Sequence, residues 1–373
     1  MGIIKKINKT TLWIVFTFII FNSCDLDLKF DANKKVLYNL KSASQTKINF
    51  SNKIIETDEF SVLGYNNMYM GGGVSIGDIN NDELPDIFLT ANQEPNRLFL
   101  NKGNFQFEDI TESSGIGGDI GIKSWSTGSS MVDINHDGFL DIYVCMIHEY
   151  KGLEGTNKLY INQGNNTFIE SASEFGLDIK SYAHQAAFFD YDIDGDLDMF
   201  LLNQAMHTPY AYRPGEIREK REEMSGDLLF KNEDGKFIDI SEEAGIYGGA
   251  NGYGLGVNIS DFNNDGYPDI YVSNDFHEND YLYYNDQNGG FKEDIVGSMG
   301  HTSTFSMGND VADINNDGWM DVITLDMRPH EEELLKTMVS VEDYDIYKFK
   351  LKHSYHFQYA RNMLQLNRGP LFN

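Results

Sequence analysis

The fold is decided by a nine-residue phrase, DINNDELPD at residues 78–86, which returns in four variants along the 373-residue chain. The other copies are DINHDGFLD at 133–141, DYDIDGDLD at 190–198, DFNNDGYPD at 261–269 and DINNDGWMD at 313–321. We call these segments loops one to five in chain order. Their first aspartates are about 50 to 70 residues apart, a little longer than the period of β-propeller repeats. The pattern therefore predicts a ring of similar units.

Each loop lies between two strand-like segments. The segment before it mixes small and apolar residues, as in GLGV at 254–257, and the segment after it is apolar, as in IYV at 142–144. Small side chains suit a strand near an axis where sheets converge, and β-branched or aromatic ones suit a strand buried between sheets. Two further strand-like segments joined by a glycine turn complete each unit. We therefore predict an all-β fold, a β-propeller of four-stranded antiparallel blades with about five blades present. A β-sandwich is the alternative, but it does not require one loop at a fixed long period.

Each loop places acidic or amide side chains at positions one, three, five and nine. Alternate residues of a tight loop can turn oxygens toward one centre, and the carbonyl at position seven adds another. Five protein oxygens with room for water match the six to eight hard ligands that calcium prefers. The predicted ligands are Asp78, Asn80, Asp82, Leu84 and Asp86; Asp133, Asn135, Asp137, Phe139 and Asp141; Asp190, Asp192, Asp194, Asp196 and Asp198; Asp261, Asn263, Asp265, Tyr267 and Asp269; and Asp313, Asn315, Asp317, Trp319 and Asp321.

We therefore expect up to five structural calcium ions, one in each loop. Simple polar turns are the alternative, but a turn does not require an aspartate at position nine. The EF-hand motif is excluded because no loop has a glutamate at position twelve. Calcium is favoured over magnesium because magnesium demands a stricter octahedral geometry. Glycine at position six suits a left-handed turn. Loop one has Glu83 there and is predicted to bind most weakly, whereas loop three, with five carboxylates, is predicted to bind most tightly.

The combined pattern resembles the FG-GAP/VCBS repeat proteins. It consists of a small-residue strand, the loop, an apolar strand, a phrase such as NRLFLN at 96–101, and a phrase such as FEDITESSGI at 107–116. Bacterial envelope proteins that join such repeats to an ASPIC/UnbV module, relatives of the cartilage acidic protein family, are the most similar in appearance. The resemblance implies an integrin-α-like propeller with calcium in these loops, and a role in adhesion or ligand binding.

The resemblance also implies seven blades, whereas this chain has four and most of a fifth. We therefore expect residues 36–373 to be a propeller truncated at its C-terminus, a fragment of a seven-bladed ring without the ASPIC/UnbV module. Alternatively, residues 37–40 close blade five as its fourth strand.

The N-terminus is typical of an export signal. Three lysines precede an apolar run at 12–21, which is too short to cross a bilayer but suits a signal peptide. Ser23 before Cys24 resembles a lipobox, which predicts a lipoprotein signal peptide at 1–23, lipidation at Cys24 and a polar tether at 24–35. An ordinary signal peptide is the alternative. We expect an exported bacterial protein held at the outer membrane or cell surface by its lipid.

Charge and missing motifs narrow the function. With 29 basic and 58 acidic residues the net charge is −29, which disfavours nucleic acid as a partner. The HExxH and GxSxG motifs are absent, so the sequence leaves catalysis undecided and favours a non-enzymatic role. We predict a calcium-stabilised surface module that binds a glycan or a protein. A lyase-like polysaccharide-degrading enzyme and a scaffold for a missing ASPIC/UnbV domain are the alternatives.

The position of the insertions indicates a binding face. Two long insertions, 205–226 and 328–361, fall between the second and third strands of their blades, opposite the calcium loops. The partner is therefore expected on that face. The same connections carry histidines that we interpret as solvated, with a histidine-lined pocket as the alternative: His148, His207, His277 and His330.

Overall fold

The computed structural model describes residues 38–58, 60–65, 67–117, 123–206, 213–329, 331–338, 344–369 and 372. The predicted signal peptide, Cys24 and the tether lie outside the described residues. The chain divides into two compact units, Met1–Ser42 and Ala43–Asn373. In the first unit the described residues, 38–42, form neither helix nor strand, and Tyr38 and Leu40 are exposed. The expected clasp strand at 37–40 is therefore not formed by its described part.

The second unit is the predicted propeller. Four of its sheets have four antiparallel strands each, paired in chain order, and a further sheet has three. Blade one contains β1 Val74–Gly77, β2 Asp86–Leu89, β3 Arg97–Asn101 and β4 Phe107–Asp109; blade two contains β5 Ser126–Val132, β6 Asp141–Met146, β7 Lys158–Asn162 and β8 Phe168–Glu170; blade three contains β9 Ala183–Phe189, β10 Asp198–Asn203, β11 Leu228–Glu233 and β12 Lys236–Asp239; blade four contains β13 Gly254–Ser260, β14 Asp269–Asn274, β15 Tyr281–Asn285 and β16 Phe291–Glu293.

Blade five has three strands in the described part of the chain. An isolated bridge between Asn367 and Phe372 lies where its fourth strand would begin. A separate pair of short parallel strands accompanies this sheet, one strand before it in sequence and the other between its second and third strands. The strands are β17 Thr302–Ser303, β18 Gly308–Ala312, β19 Asp321–Leu325, β20 Gln358–Tyr359 and β21 Met363–Gln365, of which β18, β19 and β21 form the blade.

The core consists of layers between successive blades. Because successive side chains point to opposite faces of a strand, one strand contributes side chains to the core layers on both sides of its blade. On β6, Ile142 and Val144 pack against blade one, whereas Tyr143 and Cys145 pack against blade three. Cys145 is a free, fully buried thiol in this layer. This two-sided burial explains why the second strand of each inner blade is a continuous apolar run.

The first strands line the middle of the propeller. Each first strand contacts the first strand of the next blade: β1 contacts β5, β5 contacts β9, β9 contacts β13, and β13 contacts β18. Glycine is required where neighbours come very close: a Cβ on Gly128 would lie 2.4 Å from the His184 carbonyl oxygen. The small residues before each loop are therefore explained by the approach of adjacent first strands.

The two insertions lie between second and third strands, as the sequence predicts. Arg218 of the first insertion forms a buried ion pair with blade four and a hydrogen bond to the second insertion. The Arg218 guanidinium lies 2.7 Å from Glu278 of blade four and donates to the Ser354 carbonyl at 2.9 Å. Both charged side chains are buried, so loss of one partner would cost about 3–5 kcal/mol. The described helices are Ala43–Thr46, Thr111–Ser114, Ala172–Phe175, Ile295–Ser298, Glu332–Met338 and Tyr344–Lys352, with a 3₁₀ helix at Gly215–Glu219. None of the helices in the described part is long and apolar enough to cross a membrane.

Candidate cation loops and axial pocket

In all five loops the aspartate at position one accepts the backbone N–H groups at positions five and six. In loops one, two and four the asparagine at position three also donates to the aspartate at position five, and loop two shows both features. Asp133 at position one accepts the N–H groups of Asp137 at 3.0 Å and Gly138 at 2.9 Å. Asp137 at position five accepts the N–H of Phe139 at 2.9 Å, and Asn135 at position three donates to Asp137 at 3.1 Å. The side chains at positions one, three and five therefore come together inside a tight curl. The position-seven N–H groups of Leu84, Phe139, Asp196, Tyr267 and Trp319 all donate to the position-five aspartate of their loop.

Two positions in each loop are left-handed. Position six was predicted to need a positive φ, and it has one even where Glu83 replaces glycine, with φ 67°. Position four is also left-handed, which the sequence analysis did not predict. Asparagine, which tolerates this conformation well, occupies position four in three of the loops. The residues and their φ angles are Asn81 60°, His136 57°, Ile193 60°, Asn264 56° and Asn316 60°.

The position-nine aspartates are fully buried and bind the backbone. Each uses one oxygen for the N–H at position two and the other for the N–H of the asparagine that ends the third strand; for Asp141 the distances are 3.1 Å and 2.8 Å. Burial raises the pKa of Asp141 to about 6 despite these hydrogen bonds. Each carboxylate oxygen has a second lone pair, so the hydrogen bonds leave room for a cation. The five aspartates are Asp86, Asp141, Asp198, Asp269 and Asp321.

The loops fit a hard cation by the chemistry of their donors. In loop three, oxygens of Asp190, Asp192 and Asp194 all lie within 4.8 Å of one another. Asp192 Oδ1 and Asp196 Oδ1 are buried and have no hydrogen-bond partner among the described residues. An all-oxygen set of carboxylates and amides is the kind that calcium uses. The orphaned oxygens in this crowded acidic loop are acceptors of the kind that a hard cation binds.

Loop three differs from the others by a lysine. Lys231 on β11 donates a hydrogen bond to Asp192 and lies 3.5 Å from Asp194. The hydrogen bond to Asp192 and the surrounding acids raise the pKa of the ammonium, so it stays charged. The sequence analysis did not identify Lys231 as a contact of loop three, although the other blades have an apolar or aromatic residue at the equivalent position.

A cavity of about 310 Å³ opens where the first strands of blades one to three begin, at the end of the sheets opposite the loops. We call it the axial pocket. Trp125 forms part of its wall and is held edge-on by Phe60 and Tyr65, at ring distances of 5.2 and 5.5 Å. The lining residues are Tyr65, Asn67, Met70, Gly71, Gly72, Gly73, Val74, Trp125, Thr127, Gly128, Ser129, His184, Gln185 and Gln204.

The axial pocket is uncharged in an acidic chain. Among its described lining residues His184 is the one titratable imidazole, and desolvation lowers its pKa to about 4, so it is neutral near pH 7. Gln204 is almost completely buried, and its Nε2 has no hydrogen-bond partner within the described structure. A buried amide donor without a partner is costly unless a ligand or water accepts its hydrogen bond.

A second, larger cavity of about 890 Å³ lies at the insertion of blade five. We call it the basic cleft. His301 packs edge-on against Tyr359 at 5.2 Å, and the Arg361 guanidinium lies 6.0 Å from the Tyr359 ring. The cleft is lined by His301, Arg328, Leu335, Lys336, Tyr359, Ala360 and Arg361.

The described histidines in the connections between second and third strands do not line a common pocket. His277 is buried between the rings of Tyr253 and Tyr355, so its interpretation as solvated was wrong. The partly buried His148 contacts the Gly155 carbonyl through Nδ1 at 2.7 Å. His207 and His330 lie outside the described residues.

Residues 78–144 and 261–324 match the family model of the FG-GAP-like repeat. These segments include loops one, two, four and five and the strands that lie between the loops of each pair. Together with the antiparallel blades, the match defines the class of protein: the chain is a β-propeller that carries FG-GAP-like repeats, as the sequence indicated.

The curated relatives are versions of cartilage acidic protein 1. The Xenopus tropicalis protein is 29% identical over 61% of this chain and 33% of its own length. Those of Mus musculus and Homo sapiens are 28% and 29% identical over 58% and 55% of this chain, and over 30% and 28% of their own lengths. The chain thus spans about a third of the length of the curated relatives that it matches.

Two solved structures show a more distant likeness. An Agrocybe aegerita lectin, described as recognising non-reducing terminal N-acetylglucosamine, is 14% identical with a TM-score of 0.37, over 80% of this chain and 78% of its own. The V. cholerae biofilm matrix protein Bap1 is 12% identical with a TM-score of 0.37, over 68% of this chain and 34% of its own. A likeness at this level transfers no feature of a site.

Proposed function

We propose that the chain is a calcium-stabilised binding module of the bacterial cell surface. In this proposal calcium in the loops holds the blades, and a ligand docks in the axial pocket on the opposite face. Lipidation at Cys24, export through residues 1–23, the tether at 24–35 and a propeller from residue 36 belong to the same proposal. The observation that carries it is the uncharged, aromatic-walled axial pocket with the orphaned Gln204 amide.

The chemistry of the axial pocket favours a neutral, hydroxyl-rich ligand. Met70 and Val74 offer exposed apolar surface beside the buried Trp125, while Gln204 Nε2 is a donor that lacks a partner. Absence of charged groups from the described lining means that a neutral ligand enters without desolvating an ion. Its volume also lies near the lower end of the range of small-ligand sites. We therefore propose a glycan terminus as the ligand, with an uncharged protein segment as the alternative.

The proposal is tested with a glycan array on wild type and Gln204→Leu. Leucine is of similar size and removes an unsatisfied polar group, so the variant is expected to be as stable as wild type or more stable. We expect wild type to retain a subset of glycans and Gln204→Leu to lose that retention. Gln163→Leu on the loop side of blade two is the control and should retain the same glycans. Unchanged retention by Gln204→Leu would contradict docking in the axial pocket.

The basic cleft favours a second candidate, a lyase-like enzyme acting on acidic polysaccharides. Lyase chemistry needs a base beside a group that neutralises the substrate carboxylate. His301 or Tyr359 would be the base, and Arg328 and Arg361 the neutralising groups. His301 has its pKa lowered by burial and by Arg361, which keeps it in the basic, neutral form.

The two candidates give different outcomes on the same array. Absorbance from an unsaturated product, lost in Arg361→Gln, would establish the enzyme. Retention of glycans without such absorbance would count against it.

A further inference from the structure

Blade three departs from the other blades at three places. Its loop has Asp192 at position three, where the others have asparagine, and Asp196 at position seven, where the others have apolar or aromatic residues. On its third strand, Lys231 precedes the final asparagine. The corresponding residues of the other blades are Leu100, Ile161, Tyr284 and Leu366. Extra acids and an extra base thus occur together in one blade.

The structure brings these departures into contact. The Lys231 ammonium donates to Asp192 and lies 3.5 Å from Asp194, two of the three carboxylates that converge in loop three. Its position is supported by Tyr191, whose ring centroid lies 6.0 Å from the ammonium nitrogen. The Lys231 side chain is about a quarter exposed, so its ion pair with Asp192 is partly shielded from solvent.

We propose that the ammonium of Lys231 takes the place of the divalent ion in loop three. An ammonium has three donors and can bridge several carboxylate oxygens. A calcium ion among the same carboxylates would be repelled by this fixed charge and would have to displace the lysine from its hydrogen bond. Loop three, the most acidic of the five, is then the loop that folds without calcium. This inference rests on the proposal that calcium fills the other loops, and it reverses the expectation that loop three binds most tightly.

The direct test is the number of calcium ions bound by Lys231→Leu. Leucine is the residue that blades one and five carry at this position, so the substitution suits the fold. With calcium alone as the probe, measured by equilibrium dialysis, we expect Lys231→Leu to bind one more ion than wild type. Lys292→Leu is the matched control, because Lys292 is an exposed lysine of blade four that pairs with Asp294 outside the loops. It should bind the wild-type number.

A reciprocal variant covers the case in which Lys231→Leu does not fold. Leu366→Lys places an ammonium at the equivalent position of blade five, where the side chain is only partly buried. We expect this variant to bind one ion fewer than wild type. A wild-type number in Leu366→Lys would count against an ammonium at this position as a substitute for calcium.

Hydrogen exchange gives a readout that does not depend on counting ions. In chelator, the Gly195 N–H, which donates to Asp190, should stay protected in wild type and exchange faster in Lys231→Leu. The equivalent N–H groups of Gly138, Gly266 and Gly318 should lose protection in both proteins.

The outcomes separate the two proposals. Equal calcium numbers for wild type and Lys231→Leu, with Gly195 losing protection like the other glycines, would overturn the role of Lys231 alone. Absence of calcium binding by every variant would overturn the calcium proposal itself.

Discussion

Ile193 carries a conformation that its side chain does not favour. At position four of loop three it has φ 60°, and its side chain is about half exposed. A residue with a Cβ pays roughly 1–2 kcal/mol in the left-handed region, and β-branching adds to the crowding. Asparagine at position four tolerates the positive φ, and in loops one and four it also forms a hydrogen bond to the next blade. Asn81 and Asn264 donate to the Gly138 and Gly318 carbonyls of the next blade, at 2.9 and 3.1 Å.

Ile193→Asn is therefore expected to stabilise the protein. Relief of strain and a new hydrogen bond toward the carbonyl of Gly266 should together raise the free energy of unfolding by about 1 kcal/mol or more. Denaturant unfolding in the presence of calcium measures the change. Ile169→Asn is the control, because Ile169 is similarly exposed but lies in a strand, where asparagine gives no such gain. Equal effects of the two substitutions would show that position four is not strained.

At the scale of the element, the asparagine at the end of the third strand connects blades two, four and five to the blade before each of them. Asn162 is buried, and its Nδ2 donates to the Ile79 carbonyl of blade one at 2.8 Å and to the Leu140 carbonyl of its own blade at 3.1 Å. Asn285 and Asn367 make the same bond to the preceding blade. In each blade a buried aspartate therefore fixes the loop to the third strand. In blades two, four and five a buried asparagine also fixes the blade to the preceding one.

Asn162→Ala should cost more stability than Asn101→Ala. Asn101 ends the third strand of blade one and donates to Pro85 within its own blade at 2.8 Å. Both side chains accept a backbone N–H in their turns, from Gly164 and Gly103. The difference between the two variants thus isolates the bond to the preceding blade and the carbonyl left unsatisfied. We expect this difference to be about 1–3 kcal/mol in urea unfolding, and a value near zero would contradict the connecting role.

The blades could be predicted from the repeats. Small residues in the first strands follow from the close approach of adjacent first strands, and apolar residues in the second strands follow from burial between blades. The approach of the side chains at positions one, three and five of a loop could also be predicted, because alternate residues of a tight loop turn toward one centre. Other features depend on partners distant in sequence. Asp141 was assigned from spacing as a ligand only, whereas its oxygens bind the N–H groups of Ile134 and Asn162. Lys231 reaches Asp192 across 39 residues, a contact that no local pattern contains.

On the scale of the whole molecule, the end blades differ from the inner ones. Val74 and Ile76 of blade one and Leu325 of blade five are exposed, whereas the inner blades bury such residues against their neighbours. Within the described residues, the end blades are thus covered on one side only. The stability of the propeller therefore depends on the apolar layers between blades and on neutralisation of the carboxylates in the loops.

Calcium is expected to provide that neutralisation, and its removal should lower the melting temperature strongly. With a net charge of −29 and at least three carboxylates in each loop, the calcium-free protein concentrates repulsion at the four loops that have no lysine like Lys231 of loop three. A site filled at ten times its dissociation constant contributes about 1.4 kcal/mol, so four sites contribute about 6 kcal/mol, comparable with the stability of a domain. Scanning calorimetry in chelator should show the fall, with recovery on added calcium. Magnesium at equal ionic strength is the control and should restore less, because it demands a stricter geometry. Equal melting curves with and without chelator would contradict a structural role for the ion.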